Sequence, residues 1–261
     1  LIHRNQKDLN FFQFEHLSAC SGVWHGIFTR HRGHSQDSFR SLNVSFGVGD
    51  DKKAVIRNRH VIARCIGTKN LVFTRQVHGT QIVPIDAACI SASDWSSDSQ
   101  PTGDAMITNL QDTYLVLQVA DCQPVLLVDP IRRVVANVHA GWRGSIANIL
   151  GVTVNLMKTR YGCSTDDIFA GIGPSLGPCC AEFIHYKKEI PFRYWKYKNS
   201  ADHFDFWAMS RDQLCESGLL PDHISSSNLC TRCRTDLFYS YRGEGITGRF
   251  AAVVGLTPEK K

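Results

Sequence analysis

Three residues of types suited to metal or nucleophilic chemistry fall at strand ends or tight turns of this sequence: His78, Cys122 and His139. Two imidazoles and one thiolate around an ion, with a fourth position open, form the donor set of a catalytic zinc centre. Cys122 as nucleophile with His139 as base would instead make a metal-free thiol hydrolase. The three are too far apart in sequence for spacing to decide, and each has a plainer reading as a core cysteine or a structural turn histidine. Asp121 precedes Cys122 and interrupts an apolar run; an ionised carboxylate is costly to bury unpaired, so it needs a partner or a task. The segment Val138–Ser145 reads as a strand ending at His139, a turn through Gly141 and Gly144, and a helix from about Ser145. Free N–H groups at a helix start, with Arg143 beside them, could cradle a phosphate or carboxylate; an ordinary glycine-containing turn with a surface arginine is the plainer reading.

Other cysteines offer less. Cys230 and Cys233 form one CxxC, and Cys179 and Cys180 are adjacent. A zinc ribbon normally pairs two CxxC knuckles, and a redox CxxC sits at a helix start after a strand, so neither structural zinc nor redox function is expected here. There is no GxGxxG fingerprint, P-loop, HExxH or GxSxG elbow.

The elements that must position these residues are short and mixed. Gly22–Thr29 reads as a strand followed by a polar loop. Asp50 and Asp51 are candidate caps of a helix from about Lys52 to Cys65, which Gly67 ends. Leu71–Val77 and Gln81–Ile85 are expected to pair as strands around the His78-Gly79-Thr80 turn. Tyr114–Ala120, Val125–Val128 and Val134–His139 are β-branched runs of strand length, the last two joined through Asp129-Pro130. A helix follows from about Ser145 to Tyr161, then a strand Ile168–Ile172 ending in Gly173-Pro174-Ser175, a helix near Ser210–Ser217 and a last strand Phe250–Leu256. The polar stretch Ser91–Thr102 reads as a surface loop. Strands and helices intermix without strict alternation, which favours a mixed α+β or α/β layered sandwich, with central mixed sheets flanked by helices, over a regular barrel.

Composition bounds the function class. The chain has 261 residues, 43% hydrophobic and 20% charged, with 20 Gly and 9 Pro, which is ordinary globular composition; one domain over residues 1–261 is expected. The excess of 29 Lys+Arg over 24 Asp+Glu is dispersed, which suits a small anionic ligand better than nucleic acid or a membrane surface. The longest apolar run is broken by Gln118, Asp121 and Gln123, and the first 20 residues show no apolar signal region. Ten cysteines in a chain of this length are too few for a disulfide scaffold, so reduced thiols and a cytoplasmic setting are expected.

Six blocks then combine: Gln76-Val77-His78-Gly79, Gly103-Asp104-Ala105-Met106, Ala120-Asp121-Cys122-Gln123-Pro124, His139-Ala140-Gly141-Trp142-Arg143-Gly144, Gly171-Ile172-Gly173-Pro174-Ser175 and Phe238-Tyr239-Ser240-Tyr241-Arg242. With Ser41-Leu42-Asn43 and Asn58-Arg59, they closely resemble the bacterial family long labelled multicopper polyphenol oxidase or laccase domain. Its members are understood as zinc-dependent purine nucleoside phosphorylases with adenosine deaminase activity. The resemblance runs from about Gly22 to Leu256. It implies a layered fold of the cysteine-hydrolase type and one zinc held by His78, Cys122 and His139. It implies phosphorolysis of adenosine, inosine, guanosine and S-methyl-5′-thioadenosine, and deamination of adenosine.

Copper fits the residues poorly, because multicopper oxidases need several His-rich clusters and no HxH pair occurs. On this reading Asp121 could shuttle protons and Arg143 holds phosphate, with Arg59 or Arg242 as further clamps and Asn43 and Ser175 as additional contacts. The expected partners are purine nucleosides and phosphate, and the expected assembly is a monomer or homodimer. A non-catalytic binding protein is the remaining alternative; the polar residues gathered at strand ends argue against it.

Overall fold

The computed structural model describes residues 1–92 and 100–258. Its strands are β1 (Ile2–Gln6), β2 (Leu9–Gln13), β3 (Val23–Phe28), β4 (Leu71–Phe73), β5 (Ile82–Pro84), β6 (Ala105–Thr108), β7 (Thr113–Val119), β8 (Gln123–Asp129), β9 (Val134–Ala140), β10 (Phe169–Ile172), β11 (Ile224–Ser226) and β12 (Phe250–Leu256). The helices are α1 (Glu15–Ser18), α2 (Lys52–Ile66), α3 (Ala87–Ala92), α4 (Trp142–Ile146), α5 (Ile149–Tyr161), α6 (Tyr186–Glu189), α7 (Phe206–Glu216) and α8 (Tyr241–Glu244). The strands form two mixed six-stranded sheets, in the orders β1-β2-β3-β12-β7-β4 and β11-β10-β8-β9-β6-β5.

The period of two in each strand assigns side chains to layers. Leu115, Leu117 and Val119 of β7 and Ala252, Val254 and Leu256 of β12 pack against Leu126 and Val128 of β8 and Val135 of β9, between the sheets. The alternate positions face outward. Tyr114, Val116, Ala251 and Val253 pack under Ile62, Ala63 and Cys65 of α2. Val125, Leu127, Ala136 and Val138 pack under α5 and Leu214 of α7. The result is a helix–sheet–sheet–helix sandwich, as the sequence led us to expect. Asn137 of β9 ties the sheets together: its Nδ2 donates to the carbonyls of Leu115 and Ala252, each at 2.9 Å. No helix among the described residues is long and apolar enough to cross a membrane.

Four local expectations change. β4 and β5 do not pair with each other: β4 runs parallel to β7 and β5 parallel to β6, in different sheets. Strand pattern reveals a strand but not its partner, and here the chain crosses between sheets through the turn that carries His78. The helix expected from Ser145 is two helices. α4 starts at Trp142, and Asn148, at a left-handed φ of 55°, breaks the path while its side chain caps α5 through Gly151 N–H. Asp51 alone caps α2, accepting from the amides of Lys53 and Ala54. The neighbouring Asp50 carboxylate instead takes the Ser35 hydroxyl and the Asn43 amide. Helix α7 begins at Phe206, capped by Asp205, before the expected Ser210. Of the loop expected over 91–102, residues 93–99 lie outside the described residues, and Ser91 and Ala92 close α3.

Candidate active site

The β8–β9 hairpin fixes two of the three central residues. Its register sets Pro124 opposite His139 and Gln123 opposite Ala140, so Cys122, one residue before β8, lies beside the end of β9. The crossover between sheets delivers His78 to the same point. His78 Nε2 is 3.6 Å from Cys122 Sγ, and the His78 and His139 rings meet edge-on at 4.9 Å. The three candidate ligand atoms all lie within 4.8 Å of one another. A Cβ on Gly141 would come within 2.7 Å of His78 Cδ2 and 3.3 Å of Cys122 Sγ. Glycine there leaves the cradle open.

Asp104, at the start of β6, organises the cluster. Its fully buried carboxylate accepts from the backbone amides of Val77, His78 and Gly79, the last at 2.7 Å. The same carboxylate accepts from His139 Nδ1 at 2.9 Å. One side chain therefore holds the His78 turn, with His78 at a left-handed φ of 62°, and fixes the His139 tautomer so that Nε2 is left for a ligand. Burial pushes the Asp104 carboxyl up, but the His139 contact and the amides outweigh it and keep it below the usual range. Burial also works against charge on Cys122 and His139, yet their mutual attraction wins. The thiol is drawn down to about 6 and the imidazole, also held by Asp104, is raised to about 9.

The cluster is part of the wall of a cavity of about 870 Å³. Among the described residues five arginines line it, Arg59, Arg75, Arg143, Arg242 and Arg249, against one carboxylate, Asp121; Phe46, Trp142, Phe183, Phe206 and Tyr241 supply aromatic wall. Arg143 is exposed and stacks on Trp142 at 4.2 Å. Arg59 is buried between Phe46 and Phe73, with Nε donating to Val44 O at 2.8 Å. Arg242 reaches Glu182 O at 3.0 Å. The donor set fits zinc: two imidazoles and a thiolate with room for a fourth ligand. A copper electron-transfer site of the same donors usually adds a weak axial Met. The three methionines, Met106, Met157 and Met209, are fully buried in core clusters away from the cavity.

Three of the expected site residues are already engaged within the protein. Asn43 is fully buried and away from the cavity. Its Oδ1 accepts from the amides of Ser45 and Arg249, and its Nδ2 donates to Ser45 O and Asp50. With every polar valence used, it positions Arg249 rather than touching a ligand. Ser175 is likewise buried, and its hydroxyl oxygen accepts from Trp207 Nε1 at 2.7 Å. Asp121 lines the cavity, but its carboxylate already accepts from Thr231 Oγ1 (2.6 Å), Ser240 Oγ (2.7 Å) and Arg242 N–H (2.6 Å). Those contacts make it an anchor for the segments around it. The cysteines from which no metal or redox role is expected lie together: Cys179, Cys180, Cys230 and Cys233 form a second sulfur-bearing cluster.

Two residues of the site are not expected from the sequence, Asp104 and Arg249. For Asp104 the available signal is a carboxylate heading an apolar strand, within Gly103-Asp104-Ala105-Met106; Arg249, just before β12, carries none.

The sequence profile of the family described as multi-copper polyphenol oxidoreductase laccase matches residues 24–257. Purine nucleoside phosphorylase YlmD of Geobacillus stearothermophilus is 33% identical over 259 residues, 92% of each chain. Adenosine deaminase RL5, from an unknown prokaryotic organism, is 31% identical over 246 residues, covering 90% of this chain and 94% of that one. The crystal structure of the hypothetical protein YfiH of Bacillus licheniformis superposes with a TM-score of 0.87 at 28% identity, covering 95% and 96% of the two chains. With its blocks in order and its fold matched end to end, the chain belongs to the multi-copper polyphenol oxidoreductase laccase family.

Proposed function

We propose that this chain is a zinc-dependent purine nucleoside phosphorylase that also deaminates adenosine. The observation that carries the reading is the convergence of His78, Cys122 and His139 on an arginine-rich, aromatic-walled cavity. Relatives named purine nucleoside phosphorylase and adenosine deaminase support it. The substrates proposed are adenosine, inosine, guanosine and S-methyl-5′-thioadenosine.

His78, Cys122 and His139 would hold the ion. When bound, zinc supplies a Lewis acid that polarises an oxygen ligand and acidifies water. The remaining chemistry belongs to the chain. The aromatic walls take the purine ring and exclude water. Arg143 and Arg242 bind phosphate through charge-assisted hydrogen bonds, and Arg59 adds positive charge from the cavity wall. One phosphate oxygen bonds to the sugar C1′ as the C1′–N9 bond breaks; the base leaves with the bonding pair and takes a proton. In deamination, water oxygen ends on the purine carbon that bore the amino group, and ammonia departs. Asp121 positions the Arg242 backbone, and Asp104 positions His78 and His139.

The test is phosphate-dependent release of free base from inosine and adenosine by purified protein, beside metal analysis. Zinc-bearing protein should release base only with phosphate; full phosphorolysis by metal-free protein would overturn the zinc role. A second reading has its own observation: Cys122, His139 and Asp104 also stand in the order of a nucleophile, base and orienting carboxylate. A thiol hydrolase would be stopped by an alkylating reagent and untouched by a chelator.

A further inference from the structure

The second sulfur cluster lies outside the cavity. Cys179 and Cys180 follow the turn that leaves β10; Cys230 and Cys233 follow β11. The two stretches are joined side by side: Ser175 N–H donates to Leu229 O at 3.1 Å and Thr231 N–H to Ser175 O at 3.0 Å. This brings all four Sγ atoms within 4.8 Å of one another. Cys233 Sγ is 3.6 Å from both Cys179 Sγ and Cys180 Sγ. That separation is far beyond an S–S bond of about 2.05 Å, and all four are free thiols. It matches the edge of a tetrahedron, about 3.8 Å when Zn–S is about 2.3 Å.

Four cysteines packed together as neutral thiols lack strong acceptors for one another, whereas four thiolates around a dication are mutually compensated. Cys180 and Cys230 are buried while Cys179 and Cys233 are exposed, so an ion can enter from solvent.

We propose that Cys179, Cys180, Cys230 and Cys233 bind one structural zinc ion, separate from the cavity centre. Binding releases the four thiol protons to solvent and leaves no open coordination position, so this ion does no chemistry. It clasps the two loops that grip Asp121. Leu176 N–H donates to the Asp121 carbonyl at 2.8 Å, and Thr231, inside the CxxC, donates to its carboxylate at 2.6 Å. The inference is independent of the reading of the cavity.

The experiment measures zinc per chain in wild type, in a Cys122→Ala/His139→Ala double variant and in a Cys230→Ser/Cys233→Ser double variant. The clasp predicts one zinc retained in the first variant and that zinc lost in the second. If the cavity reading fails but this one holds, wild type carries one zinc and only the second variant loses it. If the serine variant does not fold, cobalt(II) replacement in the Cys122→Ala/His139→Ala protein decides. Tetrathiolate charge-transfer bands, with Cys179, Cys180, Cys230 and Cys233 shielded from alkylation until the metal is chelated, support the site. Four freely alkylated thiols, a disulfide among them, or iron in place of zinc would overturn it.

Discussion

The two sulfur-bearing clusters of this molecule solve opposite problems. His78, Cys122 and His139 come from three distant segments and face a cavity, and a buried carboxylate aligns two of them. Cys179, Cys180, Cys230 and Cys233 come from two short turns and do not line that cavity. Three donors beside a void leave a position for a reactant, whereas four thiols closing on themselves leave none. The difference teaches that donor number and adjoining space, not cysteine count, separate a reactive centre from a clasp.

The sharpest way to break the contrast is to delete a cavity donor. Cys122→Ala or His139→Ala should reduce base release from inosine to background and remove the cavity metal, as read by coupled assay and metal analysis. Asp104→Asn tests the alignment of the centre: losing the carboxylate that serves three amides and His139 should lower metal affinity or kcat/KM by about 10- to 100-fold. Arg143→Ala should act on the reactant instead of the ion. We expect KM for phosphate to rise at least about tenfold with kcat nearly unchanged, since one charge-assisted hydrogen bond contributes about 1.5–3 kcal/mol. An unchanged phosphate KM would move the anion site to Arg242 or Arg249.

The smallest effect is on stability, and it separates two buried imidazoles. His139 is paired and raised, whereas His25 is fully buried and lowered to about 3, mainly by burial. His25 Nε2 accepts the Phe14 amide at 2.8 Å, a bond only the neutral ring can accept. The unfolded chain takes up this proton below its ordinary value of 6.5, while the folded chain resists until about 3. Stability should therefore fall as pH drops through that window, by about 1.4 kcal/mol per pH unit from this group. Urea unfolding from pH 7 to 5 checks it, and His25→Gln should flatten the slope.

Much of the fold was legible because its central strands are short, apolar and rich in β-branched residues. The runs at 114–120, 125–128, 134–139 and 250–256 all became strands, and Asp51 and Gly67 bounded α2. What failed was pairing and saturation. β4 and β5 read as a hairpin because the turn at 78–80 looked like one; only inter-sheet packing sends them apart. Asn43 and Ser175 read as ligand contacts because polar residues in motifs invite that reading, yet the Asn43 amide is fully hydrogen-bonded inside the protein and the buried Ser175 hydroxyl accepts from Trp207.

By itself the sequence determined which residue types could do chemistry and that His139, Cys122 and Arg143 sit at element ends. Period-two patterning and glycine turns are local properties, set by neighbours a few residues away. Tertiary structure decided the rest: that a carboxylate at 104 reaches the turn at 77–79 and the imidazole at 139, and that one CxxC meets an adjacent cysteine pair. Such contacts join stretches tens of residues apart, and no local pattern records which stretches the closing of two sheets will bring together.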